Sequence, residues 1–323
     1  MQQKTILIVG GAGYIGSYVN KLLHSKGFHT IVFDNLSQGS KKSVVRGDFI
    51  LGDTNNTKDL NKIFSSCRID AVMHFAAHIS VGESIKNPKK YYRNNVVNTL
   101  NLLEAMLQYN ISKFIFSSTA AIFGSPKEIP IKEEHPYLPI NPYGQSKLMI
   151  EKILQDFTHS YAFQSCSLRY FNAAGGDPEG EIKHPQREET NLIPLILRNL
   201  LKKDASVSIF GTDYNTPDGT CIRDYIHIHD LAAAHISALE QLFNGAPSNV
   251  YNLGNGKGFS VQEVIDAVEN ITGFRIHRKN SPRREGDPPK LIADSKKAQK
   301  DLSWTPKYPD LESMIEHAWK AMN

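Results

Sequence analysis

The chain has 323 residues, 40% hydrophobic and 22% charged, with a formal net charge of +4. That length supports a large core in two domains, or in one domain with a cap, and so small a positive excess does not imply nucleic acid. Cys67, Cys166 and Cys221 are odd in number, widely spaced and in no metal-ligand pattern, which fits thiols in a reducing compartment and not a disulfide framework. No apolar run approaches the ~18–20 residues of a membrane span. The chain enters "KTILIVGG" almost at once, leaving no room for a signal peptide, so a cytoplasmic protein without a membrane partner is expected.

In chain order, "TILIVG" (5–10) is a β-branched run ending in glycines, and a helical stretch to Lys26 follows. Further strands are expected at "HTIVFD" (29–34), "VVRGDFILGD" (44–53), "IDAVMHFAA" (69–77), "KFIFSSTAA" (113–121) and "CSLRYFN" (166–172). Asn87-Pro88 opens a long helix with apolar residues at Tyr92, Val96, Leu100, Leu103 and Leu107. Another helix starts at Asn141-Pro142, where Asn suits the N-cap and Pro the first helical position. Strands apolar on both faces, alternating with helices, predict an α/β, doubly wound parallel sheet. After Asn172 the texture changes. Residues 173–191 are rich in glycine, proline and charge, as in a loop leaving the sheet; 221–235 is apolar enough to rejoin the main body; 278–290 is basic and irregular. The expected division is a nucleotide-binding domain over 1–173, with 222–255 returning to it, and a smaller α/β substrate domain over 174–323.

"GGAGYIG" (10–16) follows the first strand directly and satisfies G-x-G-x-x-G through Gly11, Gly13 and Gly16. Gly10, Gly13 and Gly16 satisfy the alternative G-x-x-G-x-x-G. Residues without side chains let the backbone approach a pyrophosphate, while the following helix aims its first amides at that charge. Asp34, at the end of the second strand, is placed to accept the ribose hydroxyls of NAD and to repel a 2′-phosphate, so a Rossmann-type site for NAD is expected. Asp53 ends the third strand, within reach of adenine, and "HFAA" (74–77) ends the fourth. The carboxyl ends of parallel strands are where open α/β sheets hold ligands.

Ser117-Ser118-Thr119 closes the fifth strand, and Tyr143 and Lys147 stand one helical turn apart on the following helix. Together they form a Thr–Tyr–Lys set around a nicotinamide. A free tyrosine has a pKa near ~10, so about one molecule in a thousand is ionised at neutral pH. Lowering that by roughly three units requires about 4 kcal/mol of preference for the anion. A lysine ammonium and a positive nicotinamide ring can supply it. Tyr143 then reads as the base that takes a proton from a sugar hydroxyl, with Lys147 as its electrostatic tuner and a holder of the nicotinamide ribose. His74 and His78, and His227 and His229 on an apparent strand, lack a third ligand, so no metal site is expected.

The glycine loop, Asp34, the serine–threonine rim and Tyr-x-x-x-Lys, in that order, resemble the extended short-chain dehydrogenase/reductase family. "DNLSQG", "HFAAHISVGES", "YYRNNV", "PYGQSKLM", "LRYFNAAGGDP", "GTDYNTPDGTCIRDYIHIHDLA" and "RREGDPP" narrow the resemblance to the bacterial UDP-glucose 4-epimerases, over almost the whole chain. The resemblance implies interconversion of UDP-galactose and UDP-glucose: oxidation at C4 by NAD, rotation of the 4-keto sugar, and hydride return to its opposite face.

Carried over by position, it implies cofactor contacts at Gly10, Gly13, Tyr14, Ile15, Gly16, Asp34, Asn35, Ser37, Asp53 and Thr54. Further cofactor contacts are implied at Phe75, Ala76, Ala77, Asn94, Ser117, Tyr143, Lys147 and Phe171. Catalysis falls to Thr119, Tyr143 and Lys147. Substrate contacts are implied at Thr119, Asn172, Asn191 and Leu192, at Phe210 by the uracil, at Arg223 and Arg284 around the diphosphate, and at Asp287 for the uridine ribose. Leu291 stands where enzymes strict for UDP-galactose carry a bulky tyrosine, which leaves space for an N-acetyl group. A 4-epimerase acting on a UDP-N-acetylhexosamine, or on another UDP-sugar, is therefore the alternative. A 4,6-dehydratase would need an acid/base pair directly after Thr119, where Ala120 and Ala121 stand. The resemblance also implies a homodimer through helices near 88–109 and 142–161. "RIHRKNSPRR" (275–284) lacks interleaved aromatics, so no nucleic-acid partner is expected.

Overall fold

The β-branched run at the N-terminus forms β1 (Thr5–Val9), the glycine turn releases the chain into α1 (Tyr14–Ser25), and β2 (His29–Asp34) returns parallel to β1. The alternation continues through β3 (Asp48–Leu51), α2 (Thr57–Ser66), β4 (Ala71–His74), α3 (Val81–Lys86), α4 (Pro88–Tyr91), α5 (Asn98–Gln108), β5 (Lys113–Thr119), α6 (Pro142–Ser160) and β6 (Gln164–Tyr170). Then come β7 (Asn172–Ala174), α7 (Leu192–Leu201), β8 (Ser206–Phe210), β9 (Ile222–Arg223), β10 (Tyr225–His227), α8 (Ile228–Phe243) and β11 (Asn249–Leu253). The chain closes with β12 (Phe259–Ser260), α9 (Val261–Thr272), β13 (His277–Ser281), β14 (Lys290–Leu291), α10 (Lys296–Asp301) and α11 (Leu311–Met322). The computed structural model describes residues 3–184, 191–202, 204–284 and 287–323. Residues 185–190 of the expected loop, and Glu285 and Gly286 of "RREGDPP", lie outside them.

The chain divides into two compact units. The first comprises Met1–Gly124, Tyr137–Arg169 and Ala232–Tyr251. It is built on a seven-stranded sheet in the order β11-β6-β5-β4-β1-β2-β3, whose β1–β2, β1–β4, β2–β3 and β4–β5 pairs are parallel. Adjacent residues of β1 face opposite sides of the sheet, yet Ile6, Leu7, Ile8 and Val9 are all at most 1% exposed. Both faces are therefore covered, as in a Rossmann-type doubly wound fold. The strand order reverses between β1 and β4, where such sheets open a crevice for a ligand.

The long helix expected after Asn87-Pro88 is not a single α-helix. Asn87 caps α4, Pro88 takes its first position, and a π-helical turn spans Tyr92–Val97 before α5 begins. Bonds to the fifth residue widen each turn and rotate the phase of the helix beyond it. The fully buried positions are consequently Tyr91, Asn95, Asn98, Thr99, Leu102, Leu103, Ala105 and Met106. Of the apolar stripe read from the sequence, Leu103 alone is fully buried, and Tyr92, Val96, Leu100 and Leu107 are half-buried. The third strand lies within the expected 44–53, as β3 over Asp48–Leu51.

The second unit comprises Ser125–Pro136, Tyr170–Leu231 and Asn252–Asn323. Its core gathers Ile193, Leu197, Val264, Val268, Met314 and Ile315 from α7, α9 and α11. Small sheets pair β7 with β10, β9 with β12 and β14, and β8 with β13. Two expectations are corrected here. The basic stretch read as irregular holds β13, which runs parallel to β8 with His277 opposite Ser206. His227 ends β10, whereas His229 already lies in α8, so the two do not alternate along one strand. Among the described residues, no helix is long and apolar enough to cross a membrane.

Candidate active site

The glycine loop is shaped by close approach. Gly10 has φ +80°, and a Cβ there would lie 2.4 Å from the Ala76 backbone nitrogen; at Gly16 it would lie 2.4 Å from the Gly10 carbonyl oxygen. No side chain caps α1 at Gly13, and its first turn carries no acid, which leaves that helix end suited to an anion. Asp34 is buried, and its carboxylate accepts from the Ala12 amide at 3.0 Å and the Leu36 amide at 2.8 Å. The Asn35 side chain donates to Asp53 at 2.8 Å and accepts from the Ser37 amide at 2.9 Å. The Thr54 carbonyl accepts from Asn101 at 3.2 Å. The residues expected to face adenosine thus meet at the carboxyl ends of β2 and β3. Phe75, Ala76 and Ala77, all half-buried, follow β4 directly, and the Phe75 amide continues the ladder onto Val9 at 2.8 Å. This glycine cradle, with an acid at the end of β2, fits a dinucleotide.

Asn141 caps α6 by accepting from the Gly144 amide at 2.9 Å, with Pro142 at the first position as expected. Tyr143 is half-buried and hydrogen-bonded to Thr119, the last residue of β5. Lys147 is 3% exposed; its Nζ donates to the Ser117 carbonyl at 2.7 Å and lies 4.7 Å from the centroid of the Phe116 ring. Burial lowers the ammonium pKa to about 7, against an opposing pull from the Glu151 carboxylate. Burial pushes the Tyr143 phenol up, and the bond to Thr119 only offsets part of that. The chain alone therefore holds Tyr143 as a neutral phenol.

Behind this set lies a buried network that motif reading missed. Glu151 stands one turn past Lys147 and receives the Ser118 hydroxyl at 2.5 Å and Arg169 at 2.6–3.2 Å. The spacing from Lys147 to Glu151 was a signal available in the sequence; the partner on β6 was not. In the π-helical turn, Asn94 donates to Asn95 at 3.0 Å. Asn95 is buried and binds both the amide and the carbonyl of His78, and donates to Ser146, whose hydroxyl returns to the Tyr143 carbonyl at 2.7 Å. Irregular helix geometry thus ties the end of β4 to the first turn of α6.

The second unit brings together part of the expected substrate set. Arg223 donates to Asp287 at 3.1 Å and to the Pro288 carbonyl at 2.9 Å. Leu291 pairs with Arg223 across β14 and β9. The Arg284 guanidinium lies 3.8 Å from the Phe210 ring centroid. Asn172 extends the Asp224 backbone at 3.1 Å, directly after Phe171. Asn191 and Leu192 open α7, though the Asn191 side chain makes no cap. Most of the basic run is paired: Arg278 with Asp266 and Glu269, and Arg283 with Asp213. Asp224, at the heart of this unit, accepts from the amides of Ala293, Asn255 and Gly256, yet burial still pushes its carboxyl up to about 6. His74 is bonded to Thr99 at 2.9 Å and His227 to His317 at 3.1 Å. Among the described residues, no group of three or more His, Cys, Asp or Glu is placed to hold a metal ion.

Residues 6–254 match the NAD dependent epimerase/dehydratase family. The chain is 50% identical over 314 residues to a UDP-glucose 4-epimerase of Halalkalibacterium halodurans, covering 97% of this chain and 94% of the relative. A crystal structure of UDP-glucose 4-epimerase from Brucella ovis in complex with NAD superposes with a TM-score of 0.95 at 42% identity, covering 98% of this chain and 97% of the other. The UDP-Glc/GlcNAc 4-epimerase of Campylobacter jejuni gives 0.86 at 44% identity over 98% of each chain. The doubly wound sheet agrees with these likenesses, and the chain belongs to the NAD dependent epimerase/dehydratase family.

Proposed function

We propose that the chain interconverts UDP-galactose and UDP-glucose, with the first unit holding NAD and the reacting groups and the second supplying contacts to the UDP moiety. The observation that carries this reading is Tyr143, hydrogen-bonded to Thr119 and one turn from the buried Lys147. NAD, when bound, takes a hydride from C4 of the sugar and returns it to the opposite face of the 4-keto ring. Tyr143 takes the C4 hydroxyl proton and gives it back, so one side chain serves as base and then acid. Since burial favours the neutral phenol, its ionisation needs positive charge close by, and Lys147 contributes that charge when protonated. Thr119 orients the exchanged proton. The glycine cradle, Asp34, Asn35, Ser37, Asp53, Thr54, the Phe75–Ala77 segment, Asn94 and Ser117 bind the dinucleotide, joined by Phe171. Arg223 and Arg284 neutralise the diphosphate, Phe210 faces the uracil and Asp287 the ribose, while Asn172, Asn191 and Leu192 complete the substrate contacts.

Incubation of the purified protein with UDP-galactose and no added NAD, followed by anion-exchange separation, tests this reading. Appearance of UDP-glucose without an accumulating 4-keto product is expected. No conversion, even with NAD supplied, would remove UDP-galactose as substrate. A second reading, activity on UDP-N-acetylgalactosamine, is favoured by Leu291 at the gate position and by the likeness to the Campylobacter jejuni enzyme. A dehydratase is disfavoured by Ala120 and Ala121 in the 3₁₀ turn after Thr119. The same family resemblance supports a cytoplasmic homodimer paired through the helices near 88–109 and 142–161, which a light-scattering mass checks directly.

A further inference from the structure

The Glu151–Arg169 pair is unusual in cost and position. Arg169 is 0% exposed and Glu151 3%, and the two make three hydrogen bonds of 2.6–3.2 Å. Taking both charges out of water costs several kcal/mol per ion, and a well-packed apolar pair of similar volume is often as stable or more so. Fold stability alone therefore gives little reason for an ion pair here. Its surroundings give a better one. Ser117 and Ser118, neighbours on β5, each grip one side chain of α6. The Ser117 carbonyl accepts from Lys147 at 2.7 Å, and the Ser118 hydroxyl donates to Glu151 at 2.5 Å. Two adjacent residues of β5 thus hold both groups. Arg169, in turn, is held on its far side by the Tyr137 hydroxyl at 3.1 Å and lies over the Phe123 and Tyr137 rings.

We propose that Glu151 is a positioning residue whose carboxylate, fixed by Ser118 and Arg169 one helical turn from Lys147, sets the charge of the Lys147 ammonium. The proposal rests on the assignment of Tyr143 as base and Lys147 as its neighbouring charge. Among the described residues, the groups facing Lys147 are few. On its own helix they are Tyr143 and Glu151; from β4 comes His74, held neutral by burial; from β5 come the Phe116 ring and the Ser117 carbonyl; Arg169 on β6 acts through Glu151. Glu151 is the one carboxylate in that set, and it opposes the burial that strips the ammonium of its proton. The orientation of the pair matters: the negative partner shares a helix with Lys147, and the positive partner stands behind it on the sheet.

The test is the pH profile of kcat/KM for UDP-galactose, with NAD content measured alongside. In Glu151→Gln the alkaline limb should move to lower pH by about one unit, while Glu151→Asp, which keeps the charge, should leave the limb in place at reduced kcat. Where the buried Arg169 left alone prevents folding, Glu151→Gln with Arg169→Gln removes both charges and should show the same downward movement. An unmoved limb, or an equal loss at every pH, assigns the pair a structural role and overturns the proposal. Failure of both the single and the double variant to fold does so too. Tyr143→Phe in the same assay separates the two ideas: if it stays active, the reading of the site fails, whereas a dead Tyr143→Phe beside an unmoved Glu151→Gln limb sinks the role of Glu151 alone.

Discussion

The Arg284 guanidinium lies 3.8 Å from the centroid of the Phe210 ring, so a cation and an aromatic proposed to serve different parts of the substrate are joined before substrate arrives. Such a contact is worth about 0.5–1 kcal/mol at an exposed site. Replacing Phe210 with Ala removes the surface for a base and the platform under Arg284. The KM for UDP-galactose should rise ~10-fold or more, with a smaller change in kcat. Arg284→Lys should also raise KM, because an ammonium cannot present a planar fork to a phosphate. Initial-rate kinetics measure both, and wild-type KM values in the two variants would remove these residues from the substrate site.

Tyr143→Phe deletes one hydroxyl and leaves the ring. Turnover of UDP-galactose should fall by ~10²–10⁴-fold, the usual worth of a positioned acid/base group. NAD released on denaturation should match the wild type, since the ring and Lys147 remain. Near-normal turnover would exclude Tyr143 as the base.

At Gly10, a left-handed backbone coincides with contact: φ is +80°, and a Cβ would sit 2.4 Å from the Ala76 nitrogen. Gly27 has φ +86° but nothing within 4 Å. Gly27→Ala should cost only the backbone term, about 1–2 kcal/mol. Gly10→Ala should cost more and also lose bound NAD, because the loop must move away from β4. Urea unfolding and NAD content compare the two, and equal losses would mean that the contact at Ala76 is easily relieved.

Burial lowers His74 in the first unit and His227 in the second to about 3. Each is ~6.5 in an unfolded chain. Between those values the unfolded state binds more protons, so stability is full above ~6.5 and is lost as pH falls toward 3. Asp224 works the other way, because its raised value near 6 makes the fold take up a proton that the unfolded chain accepts only near ~4. The two histidines outweigh it. From pH 6.5 to 5 the net loss should be about 2–3 kcal/mol. Denaturant midpoints across that range give the slope, and His227→Gln should flatten it by roughly one proton. An unchanged slope would mean that His227 is not held neutral.

Leu291→Tyr restores bulk at the proposed gate. Turnover of UDP-N-acetylgalactosamine should drop at least ~10-fold relative to UDP-galactose, since a misfit of this kind discriminates by about 1–3 kcal/mol. Competition between the two substrates reads the ratio directly. An unaltered ratio places the gate elsewhere.

The parts of the fold legible in the sequence depend on neighbours in the chain. β2 has the expected bounds, the Asn141-Pro142 start of α6 is as read, and the glycine turn follows β1 directly. The features that escaped depend on distant partners. The π-helical turn at Tyr92–Val97 is fixed in place by Asn95 reaching His78 and Ser146, and no periodicity in that stretch announces it. β13 sits in a run that composition marks as loop, because its ladder is supplied by Ser206–Phe210 about seventy residues earlier in the chain. Within the site, the one-turn spacing of Tyr143 and Lys147 on α6 was legible, whereas the burial that raises the phenol in the chain alone was not.

Neither unit is a continuous piece of chain. The polypeptide passes between them five times, and the last segment of the first unit runs to Tyr251. On a ribosome the seven-stranded sheet therefore stays short of its edge strand β11 until most of the protein has been made. Pairing so distant in sequence is slow to form and leaves β6 with an open edge meanwhile. Stretches of the second unit emerge before the first can close, so the two must mature together, and no single cut in the chain frees either one whole.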